Sequence, residues 1–65
     1  MSYRGYTYLH WDTKDKDDTE AAKKYIKYFM MLRRTSIPPN EKSHTVTWDE
    51  EKQKWHHFME WTWDE

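Results

Sequence analysis

The chain has 65 residues and no cysteine, which excludes disulfides and thiolate metal sites and leaves room for one thin core. Its net charge of −1 excludes electrostatic capture of duplex DNA as the main source of affinity, because phosphate neutralisation needs an excess of Lys and Arg. Aliphatic residues are scarce, and five Trp, five Tyr and two Phe supply most of the apolar material; at roughly 150–250 Å² buried per ring they exceed what one small core takes up, so some belong at the surface or an interface.

The opening stretch Met1–Trp11 lacks the apolar run of a signal peptide and reads as the start of a complete short frame. No segment approaches the length of a membrane span. The expectation is a single domain over residues 1–65, cytoplasmic, with no membrane contact. Tyr3 to Trp11 is rich in strand formers and alternates: Tyr3, Thr7, Leu9 and Trp11 share one face, Arg4, Tyr6, Tyr8 and His10 the other. Leu9 points the first set inward. Asp12 to Asp18 is a polar connection.

Asp17 followed by Glu20 has the spacing of a capping box, and no Gly or Pro interrupts Thr19 to Arg34. A helix is predicted over that span. Ala22, Ile26, Phe29 and Arg33 form its inner stripe, with Tyr25, Met30 and Leu32 beside it, while Lys23, Lys24 and Lys27 form a solvated basic face. Ile37-Pro38-Pro39-Asn40 stops the helix and makes a stiff linker.

From Ser43 two readings compete. In the first, His44–Trp48 and Lys54–Trp63 form a hairpin around Glu50–Gln53, with Asp49 opposite Lys54, Trp48 opposite Trp55, Val46 opposite His57 and His44 opposite Met59. In the second, Thr47 and Glu50 cap a helix carrying Trp55, Phe58, Met59 and Thr62. The density of Val and Trp favours strands. The run Trp48-Asp-Glu-Glu-Lys-Gln-Lys-Trp55 resembles the C-terminal hairpin of immunoglobulin-binding protein G domains; that likeness covers eight residues and brings no functional motif. The predicted fold is α+β, a small β-α-β-β domain with a three-stranded sheet and one helix packed on one face. The alternative is β-α-β-α with a C-terminal helix.

One helix cannot cover both faces of a sheet. The uncovered face is expected to carry Arg4, Tyr6, Tyr8, His10, Thr45, Thr47, His56 and Phe58, of which Arg4, Tyr6, Tyr8, His10, His56 and Phe58 are the candidate partner-binding residues. Tyr and Arg are favoured at interface hot spots, and rings interleaved with cations also suit base stacking. His10, His44, His56 and His57, with Glu60, have no metal-motif spacing, and adjacent strand positions such as His56 and His57 point to opposite faces. Ser2, Ser36 and Ser43 lack nucleophile context and there is no phosphate loop. No catalytic residue, metal or cofactor is therefore expected. The expected function is that of a small non-enzymatic protein-binding module, an inhibitor, adaptor or antitoxin-type factor of the kind bacteria and phages use, which occludes a partner's surface. Single-stranded nucleic-acid or nucleotide binding is the alternative, and a homodimer a third.

Basic side chains outnumber acidic ones eight to five in residues 1–34, and acidic outnumber basic seven to three in residues 35–65. A solvated surface accounts for that asymmetry, which also favours pairing of the two halves or head-to-tail association.

Overall fold

The computed structural model describes residues 4–64. Tyr3, expected on the inner face of the first strand, lies outside the described residues. In chain order the elements are β1 (Arg4–Thr13), α1 (Glu20–Arg33), β2 (Asn40–Asp49) and β3 (Lys54–Asp64). The chain is thus a small α+β protein of β-α-β-β order. The alternative C-terminal helix is not formed, because Lys54–Asp64 is strand throughout.

β3 lies between β1 and β2 and runs antiparallel to both. β1 and β2 are therefore parallel to each other across an inserted strand, which is why a long connection carrying α1 separates them. The hairpin register has Asp49 opposite Lys54, Trp48 opposite Trp55, Val46 opposite His57 and His44 opposite Met59. β2 starts earlier than expected, at Asn40, and takes in a bulge between Glu41 and Ser43. The hairpin closes through Gln53 at φ 56°, with Asp49 Oδ1 accepting the N–H groups of Glu51 and Lys52.

The carboxylate serving the first turn of α1 is Asp18, not the expected Asp17. Asp18 Oδ1 accepts the Glu20 N–H at 3.1 Å, whereas the Asp17 N–H is held by Asp15 Oδ1 in a preceding turn. The helix ends on Arg34 in the left-handed region (φ 54°, ψ 46°). There the Arg34 and Thr35 N–H groups close onto the Met31 and Met30 carbonyls.

α1 packs over β1 and β3 through rings. The Tyr25 hydroxyl bonds Thr7 Oγ1 and its ring lies 5.6 Å from Trp61; Phe29 meets Trp63 edge-on at 4.8 Å. Arg33 lies over the Trp63 ring at 4.8 Å. Gly5 makes this possible: a Cβ there would fall 1.9 Å from Trp63 Cε2, in space the indole occupies. Among the described residues only Gly5, Ala22, His57 and Trp61 are buried. Leu32, expected beside the inner stripe, is 66% exposed. At 100° per residue it falls beyond Tyr25 on the flank above the outer edge of β1, where no further strand meets it. No helix among the described residues is long and apolar enough to cross a membrane.

Candidate functional site

Strand alternation sends Arg4, Tyr6, Tyr8, His10 and Asp12 of β1 to the face opposite α1. Register then aligns them with Thr62, Glu60, Phe58 and His56 of β3, and those with Ser43, Thr45 and Thr47 of β2. The six expected binding residues, Arg4, Tyr6, Tyr8, His10, His56 and Phe58, all lie on this uncovered face. Five of them are in ring contact. Tyr6 lies 6.1 Å from Tyr8, Tyr8 5.9 Å from Phe58, and His10 stacks on Phe58 at 4.4 Å and on His56 at 5.2 Å. Arg4 stands apart at the strand end, 3.4 Å from Asp64. Tyr6 and Tyr8 remain 48% and 54% exposed.

Polar anchors fix both ends of the ring row. At one end Glu60 accepts bonds from the Tyr6 hydroxyl and, at 2.6 Å, from Ser43 Oγ. The Ser43 hydroxyl, then that of Tyr6, hold the Glu60 carboxyl below its ordinary range, and the same carboxylate raises the Tyr6 phenol. Lys42, the residue skipped by the β2 bulge, reaches over the Tyr6 ring at 5.3 Å.

At the other end Asp12 Oδ1 is 2.9 Å from His56 Nδ1, and Lys52 Nζ is 3.3 Å from Oδ2. The His56 bond, followed by that of Lys52, holds Asp12 below the usual carboxylate range. A carboxylate only accepts, so His56 Nδ1 carries hydrogen. In the neutral ring His56 Nε2 is then the acceptor for the His10 Nδ1–H, 3.1 Å away. Asp12, His56 and His10 thus form a directed chain, without a hydroxyl or thiol bonded to it among the described residues. Three cations of this face lie beside carboxylates: Arg4 by Asp64, Lys42 near Glu60, Lys52 by Asp12.

Sequence reasoning did not assign roles here to Asp12, Ser43 and Lys52, and considered Glu60 only as a metal donor. Asp12 was within reach, since the alternation that turns His10 outward also turns Asp12 outward. Lys52 was not, because the turn alone decides where its side chain goes.

A second histidine pair lies under α1. His57 is wholly buried, stacked on Trp11 at 4.7 Å and bonded to Thr13 Oγ1 at 2.8 Å and His44 Nε2 at 3.2 Å. Thr13 donates its hydroxyl to the Asp15 carbonyl, so it accepts from His57 Nε2–H, and His57 Nδ1 accepts from His44. Burial, then the charge of His44, lowers the His57 pKa. Among the described residues no three His, Asp or Glu converge on a point where a metal ion could sit. Between α1 and β2 an open groove of about 580 Å³ runs over Ala22, Ile26, Met30, Met59 and Trp61. Lys23, Lys24 and Lys27 are all exposed; Lys23 and Lys27 rim that groove, Lys24 does not, and Lys23 lies 3.8 Å from Glu20.

No known protein family matches the chain, and no curated protein or solved structure is significantly similar to it.

Proposed function

We propose that this chain is a non-enzymatic protein-binding module that occludes a surface of its partner with the uncovered sheet face. In that role it acts in the cytoplasm as an inhibitor, adaptor or antitoxin-type factor. One observation carries the reading: Tyr6, Tyr8, His10 and Phe58 form a contiguous ring row, exposed at both tyrosines, held at each end by hydrogen-bonded carboxylates. Rings so fixed lose little conformational freedom when a partner covers them, and Tyr is enriched where binding energy concentrates. The charge balance of the face favours a protein over a nucleic acid. Phosphate binding needs cations in excess, and here Arg4, Lys42 and Lys52 are each matched by a carboxylate.

The test is capture from lysate by wild type, Tyr8→Ala and Phe58→Ala, washed over a range of salt, with nucleic acid in the eluate quantified. Retention of a protein that depends on both rings and changes little with salt supports the reading. Salt-sensitive retention of RNA or single-stranded DNA replaces it with base stacking. Retention that ignores both rings moves the working surface elsewhere.

A further inference from the structure

We propose that two copies of this chain pair through β1, edge to edge and antiparallel about a two-fold axis at Tyr8, with the α1 helices side by side above the seam. The occupant of the β1 edge is thus a second β1, and the inference does not depend on what the ring row binds.

The two edges of the sheet differ in kind. β2 carries devices that discourage pairing: Pro38-Pro39 just before it, Glu41 and Lys42 at its start, and a bulge that breaks its register. β1 carries none. Its pairing with β3 is unbroken from Arg4 to Thr13, and between Gly5 and Trp11 it holds neither Pro, Asp, Glu, Lys nor Arg. Among the described residues no backbone hydrogen bond outside the sheet and helix ladders reaches β1, so its outer row of N–H and C=O groups faces away from the fold.

The strand is also complementary to itself. A two-fold axis normal to the sheet keeps each face continuous, so residues must pair with partners of the same parity. Centred on Tyr8, that symmetry sets Arg4 opposite Asp12, Gly5 opposite Trp11, Tyr6 opposite His10 and Thr7 opposite Leu9. Opposite charges meet at both ends, beside the Asp64 and Lys52 that Arg4 and Asp12 already meet within each chain, and the strand's one glycine faces its largest ring.

The helix agrees with the strand. Tyr25 bonds Thr7, which fixes the β1 side of α1. Ala21, Tyr28 and Leu32 share that flank at the helical repeat, and Tyr28 and Leu32 are among the most exposed apolar side chains. Strands about 4.8 Å apart bring two helices, each lying over β1 and β3, to about the 8–10 Å of packed helices, with this flank between them.

The pairing also aligns the two ring rows on one face of a six-stranded sheet. Sedimentation of the full chain from about 1 µM to about 1 mM tests it. The mass should rise from 8.2 kDa towards twice that value. Arg4→Asp and Asp12→Arg should each raise the dimer dissociation constant about tenfold or more, by placing like charges opposite each other twice per dimer. An equimolar mixture of the two single variants should pair to within about threefold of wild type, because opposite charges then meet again at both ends of the seam. Leu32→Glu, exposed in the monomer and checked for folding by circular dichroism, should weaken pairing even if a strand variant fails to fold. A mass of 8.2 kDa at every concentration overturns the proposal. So does a dimer indifferent to Leu32→Glu and the charge reversals, or one split by Phe58→Ala on the central strand, which would put the seam on the ring row.

Discussion

Trp48 and Trp55 stand directly opposite each other across the hairpin, their indoles edge-on with centroids 5.1 Å apart. The pair lies at the hairpin end, beside Lys16, whose ammonium is 5.6 Å from the Trp55 ring. Coupled indoles in a fixed geometry should give an exciton signature in circular dichroism that disappears in Trp55→Ala. Loss of the cross-strand contact should cost about 0.2–1 kcal/mol in urea unfolding. An unchanged spectrum would mean that the rings do not hold this geometry in solution.

Gly5 predicts a cost that its place on an edge strand would not. Because Trp63 fills the space where a Cβ would go, Gly5→Ala should displace the indole and destabilise by about 1–3 kcal/mol. A Gly→Ala change in an unobstructed strand would instead tend to stabilise. Urea midpoints of the two chains give the sign, and Trp fluorescence reports whether the indole has moved.

Trp61 is a buried ring of the thin core, against Tyr25. Trp61→Ala should cost about 3–5 kcal/mol, a large part of what so small a chain possesses. Lys24, exposed on the outer helix surface, should tolerate Ala with a change inside about 0.5 kcal/mol. Comparable small losses would contradict the packing of α1 on β3.

His57 gives the fold a pH dependence with a definite sign. Burial, then His44, lowers its pKa from 6.5, while the Asp15 carbonyl and the Asp18 carboxylate act the other way and His56 adds to the lowering. The folded chain then binds this proton less readily than the unfolded chain. The stability it contributes is complete above pH 6.5 and is lost as pH falls from there through the depressed folded value. Asp12 and Glu60, held below 3.8 and 4.5, contribute a second loss at lower pH. Urea unfolding at a series of pH values should show both steps, and His57→Phe should remove the upper one. A slope below pH 6.5 that survives His57→Phe would assign it elsewhere.

Much of the fold was legible in the chain because strand alternation and helical repeat are short-range. Leu9 oriented β1, and the charge pair Asp49–Lys54 fixed the hairpin register, from which the positions of His56 and Phe58 follow. What escaped was set by neighbours distant in sequence. The strand order that places β3 in the centre brings the His10 ring against His56 and buries His57, and spacing alone cannot show either. Leu32 was misplaced because the inner stripe of α1 is narrower than a helix packed against a full layer would have. The helix sits at the β1 side of the sheet, so residues on its outer flank meet solvent. Gly5 was readable in part, since a lone glycine in an aromatic strand signals close approach, but not which ring approaches.

The central claim is that the ring row of the uncovered face is the surface that meets a partner. Cross-saturation NMR on the isotope-labelled chain, with the captured partner unlabelled, tests it residue by residue. Saturation should reach Tyr6, Tyr8, His10 and Phe58 and leave Lys23, Lys24 and Lys27 unaffected. A footprint on those lysines, or along Ile26, Met30 and Met59 in the groove between α1 and β2, would contradict the account.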